Sequence, residues 1–292
     1  NTPTGKLLTA TAENHHMSLD WDDDPELDGE YDADWTEDDD GESLTVRCPE
    51  CGAEVYEDAV RCPTCDNYIV AGGSGTLWEG RPAWWIILGM AGIIAVVRAQ
   101  SRGQVLPLSE ALVAGGVRAI EITTSTPDAI EAIREASEAL GERALIGVGT
   151  VLDVQTCHAA CEAGAEFVVS PVTKPELVAA AHAHDRPVML GAYTPTEAQT
   201  AHEAGSDFVK LFPADGLGPR VIKNLLAPLP HLRLVPTGGI TIENAAEFLN
   251  AGCAALGIGS ALVSEAILAN ADWPELTRRA EQFVAAAKAA RL

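Results

Sequence analysis

The stretch Ala83 to Gln100, "AWWIILGMAGIIAVVRAQ", decides the fold of this chain. It is an almost unbroken apolar run with Trp84 and Trp85 near its start and Arg81 and Arg98 close to its two ends. It reads either as a membrane segment or as the first strand of a buried sheet. A helix needs about 20 apolar residues to cross the hydrocarbon layer, and shorter runs are more often buried elements. The tryptophans suit an interfacial belt, so lipid contact through Trp84 to Ala91 is the competing expectation. The sequence after the run carries more weight than the run.

From Gly92 onward, short Val- and Ile-rich runs alternate with stretches of helical period. The strand candidates are "GIIAVVR", "VRAIEIT", "ALIGVG", "EFVVS", "PVMLG", "DFVKL", "LRLVP" and "AALGIG". Ala/Glu/Leu-rich segments such as "TPDAIEAIREASEAL" and "TIENAAEFLNAG" separate them. Continuous apolar strands spaced by helices predict a parallel sheet covered on both faces. Eight such units predict an α/β protein with a (β/α)8 TIM barrel over 92–292. Placing Gly92 to Arg98 in a membrane would remove the barrel's first strand. The opening run therefore divides into a lead-in, Trp84 to Ala91, and strand one, Gly92 to Arg98. The Ala-rich end, "ELTRRAEQFVAAAKAARL", is expected to dock on the barrel or on a neighbouring subunit.

The formal net charge of -24 is concentrated ahead of the barrel, where Asp20 to Glu42 is mostly acidic. Such a segment buries too little apolar surface to offset its ordering entropy, which predicts a disordered tail over 1–45. Its sign argues against nucleic-acid binding, because neutralising phosphates takes Lys and Arg. Residues 1–16 carry no signal-peptide pattern, and Met17 is expected to be the natural start. Next comes "CPECGAEVYEDAVRCPTC", with two Cys-x-x-Cys knuckles formed by Cys48, Cys51, Cys62 and Cys65. Four thiolates at tetrahedral corners suit a structural Zn(2+) and leave no open position for a catalytic water. This predicts a zinc ribbon over 46–70 that resembles the short ribbons of many bacterial proteins, with its partner unknown. A Gly-rich linker and the apolar lead-in fill 71–91. The three remaining single cysteines, Cys157, Cys161 and Cys253, with no secretory signal, point to a reducing, cytoplasmic setting.

Chemistry in such barrels sits at the C-terminal ends of the strands. Those ends carry Arg98, Glu121, Thr123, Thr150, Ser170, Lys210, Thr237 and Ser260. Lys210 is the anomaly, since it lies between Val209 and Leu211 where an ordinary lysine is costly to bury. Removing an amine from water favours its neutral, nucleophilic form, as a Schiff base requires. "PTGGIT" and "GIGSAL", after strands seven and eight, are each expected to present backbone amides at a helix start and together to hold a phosphate.

The pieces "AIEITTSTP", "IGVGTVLD", "FVVSP", "FVKLFPA", "VPTGGI" and "GIGSALV" occur in an order and spacing that resembles the 2-keto-3-deoxy-6-phosphogluconate (KDPG) and 4-hydroxy-2-oxoglutarate (KHG) aldolases, over about Gly92 to Leu268. The resemblance implies that Lys210 is the Schiff-base lysine and Glu121 the acid/base carboxylate. It further implies that Thr150 and Thr237 hold the carboxylate end of a 2-keto acid substrate. Gly238, Gly239, Gly259 and Ser260 would form the phosphate cradle, with Thr123, Ser170 and Pro171 also on the substrate. No cofactor or metal is implied for catalysis, and a homotrimer is implied. The sequence departs from the pattern at Ser125, where many members place an arginine for the pyruvate carboxylate. Arg98 is the remaining cation and is expected to bind that carboxylate or another anionic group.

Other candidates have plainer expectations. Cys157, His158 and Cys161 on one helix lack the partners of a metal site. His182, His184 and His202 are expected to be surface or packing residues.

Overall fold

The computed structural model describes residues 45–48, 51–56, 63–64 and 92–290, and the chain divides into two compact units, Asn1–Ile69 and Val70–Leu292. In the first unit, β1 (Thr45–Arg47) and β2 (Glu54–Tyr56) pair antiparallel. The turn between them is closed by Cys48 N donating to Ala53 O at 2.8 Å and Gly52 N donating to Cys48 O at 2.9 Å. Gly52 takes φ +73°, a conformation that suits glycine at such a turn. Cys62, Cys65 and the lead-in Trp84 to Ala91 lie outside the described residues. No described helix is long and apolar enough to cross a membrane.

The second unit contains eight parallel strands: β3 (Ile93–Val97), β4 (Ala119–Thr123), β5 (Leu145–Gly149), β6 (Val168–Val169), β7 (Val188–Ala192), β8 (Phe208–Leu211), β9 (Leu234–Pro236) and β10 (Leu256–Ile258). They follow one another in the sheet in chain order, with β10 paired to β3. The β9–β10 seam is closed by Ala254 N donating to Leu234 O at 2.8 Å and by a bridge between Thr237 and Gly257. The barrel is thus complete, and Ile93–Val97, the second half of the opening apolar run, is its first strand.

Around it lie α1 (Arg102–Ala114), α2 (Ala129–Leu140), α3 (Val154–Glu162), α4 (Glu176–His182), α5 (Pro195–Glu203), α6 (Pro219–Leu226), α7 (Ile242–Asn250), α8 (Glu265–Asn270) and α9 (Trp273–Ala290). Local chemistry sets their starts. Thr194 Oγ1 accepts from Glu197 N at 3.2 Å while Glu197 Oε2 accepts from Thr194 N at 2.8 Å, a reciprocal cap opening α5. The Ala-rich α9 packs on α1 and α7 of its own barrel, burying Leu276, Ala280, Phe283 and Ala287.

Alternation along the strands sorts side chains into two cores. Ile93, Ala95, Val97, Ile120 and Ile122 point outward and join the helices in the larger core. Ile94, Ala119, Leu145, Phe167, Val169, Met189, Phe208, Val235 and Ala255 form the smaller cluster, which fills the barrel. Two residues further along, the same inward phase gives Val96, Glu121, Gly147, Val169, Gly191, Lys210, Thr237 and Gly257, so that only β3 and β6 still contribute a hydrocarbon side chain. A hydrocarbon plug thus ends and a polar, glycine-rich layer begins.

Candidate active site

In an eight-stranded barrel with this strand order, β4 and β8 face each other across the axis. Glu121 on β4 and Lys210 on β8 meet there, with Lys210 Nζ donating to Glu121 Oε1 at 3.3 Å. They are 2% and 3% exposed, the only charged side chains among the described residues buried to this degree. Each offsets the other's desolvation, whereas either alone would be several kcal/mol unfavourable. The lysine is therefore held inside the barrel beside a single carboxylate and does not reach out to water.

Space for this pair comes from glycine. A Cβ on Gly149 would overlap the Glu121 carboxylate, one on Gly191 would strike the Pro171 backbone, and one on Gly257 would strike Thr237 Oγ1. On β4, Thr123 is fully buried and its hydroxyl donates to Val97 O at 3.1 Å. Ser125 Oγ lies 2.7 Å from Thr123 Oγ1, so the residue at the departure from the family pattern is tied to the inner wall. Thr124 Oγ1 donates to Thr150 O at 3.0 Å, holding the loop in which Thr150 adopts φ +63°. Ser170 is fully buried, and its Oγ accepts from Val172 N at 3.4 Å. The ring of Phe212, followed by a cis bond to Pro213, lies 5.4 Å from Lys210 Nζ.

Phe212 also forms a wall of a cavity of about 290 Å3. Arg98, Thr237, Gly238, Gly239, Gly259 and Ser260 line the same cavity. Gly259 faces Arg98, with Nη1 at 3.5 Å from where a Cβ would stand. Gly239 has φ +71°, and Asp215 packs where its side chain would be. Two predicted groups thus resolve in space. Lys210 and Glu121 share the inner layer with Thr123 two residues further along β4 on the same face, and the cation and both glycine turns gather at one cavity. Arg98 stands with the glycine turns.

One detail differs from expectation. Gly238–Gly239 precede α7, whose cap is Thr241, but Gly259–Ser260 do not open a helix. They enter a turn in which Leu262 N and Val263 N both donate to Gly259 O at 2.9 Å, and α8 begins only at Glu265. The two bonds occupy the amides of Leu262 and Val263, not those of Ser260 and Ala261.

The clearing glycines, Phe212 and the Thr123–Ser125 contact were not among the predicted site residues. A signal for the first existed in "IGVGT", where Gly147 and Gly149 stand two apart and therefore on one face of the strand. Elsewhere, Cys157 and Cys161 are buried and hydrogen-bonded to each other, which together with burial pushes the Cys157 thiol up. His158 Nδ1 lies 2.7 Å from His184 Nε2. Among the described residues no group of three or more His, Cys, Asp or Glu is placed to hold a metal ion.

The sequence pattern of the KDPG and KHG aldolases matches residues 86–279. A 2-dehydro-3-deoxy-phosphogluconate aldolase of Pseudomonas aeruginosa is 37% identical over 194 residues, covering 64% of this chain and 86% of that protein. A 2-dehydro-3-deoxy-6-phosphogalactonate aldolase of Escherichia coli is also 37% identical, over 171 residues, covering 58% of this chain and 83% of that protein. Among solved structures, the KDPG aldolase of Legionella pneumophila, with pyruvate captured at low pH as a covalent carbinolamine intermediate, superposes with a TM-score of 0.62 at 31% identity, covering 67% of this chain and 95% of that one.

Proposed function

Because the chain belongs to the KDPG and KHG aldolase family, we propose that it cleaves 2-keto-3-deoxy-6-phosphogluconate to pyruvate and glyceraldehyde 3-phosphate through an imine on Lys210. The observation that carries this reading is the buried Lys210–Glu121 pair, one amine and one carboxylate facing each other at 3.3 Å in a layer cleared by glycine.

Lys210 Nζ adds to the C2 carbonyl carbon of the substrate, and the resulting carbinolamine loses water to give a protonated imine. Glu121 takes the proton of the C4 hydroxyl, directly or through a water, as the C3–C4 bond breaks. The bonding electrons pass into the imine, and glyceraldehyde 3-phosphate leaves. The enamine left on Lys210 is protonated at C3 with help from Glu121, and water then releases pyruvate and the free amine. The carbinolamine captured in the Legionella relative is the first intermediate of such a sequence.

Thr150, Thr123, Ser170 and Pro171 position the 2-keto acid end, and Thr237 reaches it from β9. Gly238, Gly239, Gly259 and Ser260 cradle the distal phosphate. Their shared cavity with Arg98 supports assigning this arginine to the phosphate and leaving the carboxylate to neutral donors near Ser125. The same chemistry extends to 4-hydroxy-2-oxoglutarate, whose aldehyde product is glyoxylate. The E. coli relative favours a second reading, 2-keto-3-deoxy-6-phosphogalactonate, the C4 epimer, and the ratio of kcat/KM for the two epimers decides between them.

The test is borohydride reduction in the presence of pyruvate followed by peptide mapping. A pyruvyl adduct on Lys210 is expected. Folded protein without an adduct would return the barrel to a non-catalytic, binding role.

Leu152, Val172 and Tyr193 are 48%, 46% and 51% exposed on the loops after neighbouring strands β5, β6 and β7. This apolar rim supports a homotrimer, and Tyr193→Asp is expected to lower the mass measured by light scattering. We also take 1–45, 46–70, 71–91 and 92–292 as tail, zinc ribbon, linker and barrel. The hairpin knuckle that brings Cys48 and Cys51 to one turn fits a thiolate site for Zn(2+), with Cys62 and Cys65 as the other two ligands. A structural ion there would tie the ribbon together. The buried cysteines of the barrel, Cys157, Cys161 and Cys253, fit a cytoplasmic setting.

A further inference from the structure

Thr150 directly follows Gly149, the glycine that makes room for the Glu121 carboxylate. Four non-glycine residues among those described have a positive φ, Asp128, Thr150, Asp185 and Ala271, and Thr150 is the only β-branched one. A β-branched residue is an outlier in this region, and such a conformation persists only where its surroundings over-determine it. The restraint comes from Thr124.

Thr124 binds two successive carbonyls at the end of β5. Its N–H donates to Gly149 O at 2.9 Å and its hydroxyl to Thr150 O at 3.0 Å. In a regular strand the backbone groups of successive residues face opposite neighbours. The bonds on either side keep that order, with Val148 N donating to Phe167 O at 3.0 Å and Val151 N to Val169 O at 3.1 Å, both on the β6 side. Thr150 breaks it. At φ +63° its carbonyl turns back toward β4, where the Thr124 hydroxyl binds it.

The hydroxyls beside this turn are already spent. Thr123 gives its one proton to Val97 O, so in the 2.7 Å contact with Ser125 it accepts, and the Ser125 proton is committed as well. The Thr124 proton is on Thr150 O. None of the three can donate to a substrate carboxylate without giving up a bond. Thr150 differs, since neither its N–H nor its hydroxyl makes a hydrogen bond among the described residues. Its two donors are held in place with nothing of the protein to bind.

We propose that Thr124 is a positioning residue for imine formation: by binding Gly149 O and Thr150 O together, it holds Thr150 in the left-handed turn that offers its N–H and hydroxyl to the carboxylate of the 2-keto acid. The inference rests on the imine chemistry proposed above. Thr124 touches no reacting atom and acts through Thr150.

The test compares pyruvate with acetone, which has a methyl group in place of the carboxylate. Each is trapped on Lys210 by borohydride over a range of concentrations. Thr124→Val keeps the shape and removes the hydroxyl, Thr124→Ala is a second variant without it, and Thr124→Ser retains it. The pyruvate concentration for half-maximal adduct is expected to rise roughly tenfold in Thr124→Val and Thr124→Ala, the effect of losing one hydrogen bond to a charged group. In Thr124→Ser it should stay near the wild-type value. Trapping of acetone should be unchanged in all three, a split that lowered stability alone would not produce. A wild-type dependence on pyruvate in the two variants without the hydroxyl would overturn the proposal, as would equal losses with pyruvate and acetone. No pyruvyl adduct in the wild type would instead overturn the imine reading, and the proposal with it.

Discussion

Gly149 on β5 and Glu121 on β4 occupy adjoining space so closely that a Cβ on the glycine would overlap Oε1, Cδ and Cγ of the glutamate. The strands pair with Glu121 beside Gly147 and Thr123 beside Gly149, so the carboxylate leans along the barrel toward the C-terminal end. Gly149→Ala therefore pushes the carboxylate away from Lys210. A displacement of about 1 Å at a reacting group lowers the rate on the order of 10²-fold, and the overpacking costs about 1–3 kcal/mol. Steady-state kinetics beside urea denaturation measures both. A folded variant with unchanged kcat would remove Glu121 from the proton-transfer step.

Arg98 shares its cavity with Thr237 and both glycine turns. A charge-assisted hydrogen bond contributes about 1.5–3 kcal/mol. Arg98→Ala should therefore raise KM for a phosphorylated substrate by roughly 10- to 100-fold, with a much smaller effect on pyruvate itself. If imine formation with pyruvate suffers equally, Arg98 holds the carboxylate and the orientation of the substrate is reversed.

At the start of α9, Glu275 receives hydrogen bonds from Arg278 at 2.7 Å and Arg279 at 2.8 Å, which hold its carboxyl at about 2. The folded value lies below the unfolded one. Its contribution to stability is thus present above the ordinary carboxylate value and is lost as pH falls toward 2. Glu275→Gln should lower the melting temperature at pH 7 and at low ionic strength, and the difference from the wild type should vanish near pH 2. An equal difference at both pH values would mean that the carboxylate acts by shape and not by charge.

Chelation should separate the two parts of the chain. With EDTA, aldol cleavage is expected to persist, because each proton and electron shift in the proposed cycle is handled by Lys210 and Glu121. A zinc-sensitive dye should at the same time report release of one ion per chain. Loss of turnover with the barrel's circular dichroism unchanged would place a metal in the catalytic step.

The order of the barrel strands was legible in the chain because parallel strands buried on both faces must be apolar throughout, and the helices between them carry a different period. Lys210 was legible for a related reason: a lysine inside such a run requires a partner. Even the division of the opening apolar run followed from counting, since only Ile93–Val97 completes the eight strands. Partnership across the barrel was another matter. Glu121 and Lys210 are 89 residues apart, and their contact depends on β4 and β8 facing each other in the closed ring. No local pattern reports that distance, and the spacing of Gly147 and Gly149 puts them on one face of a strand without saying which side chain they make room for. The same holds for Arg98, whose charge is plain in the chain but whose place beside Gly259 depends on β10 pairing with β3. Composition and period act along the chain and can be read from it; a site assembled across a barrel exists only once the first and last strands meet.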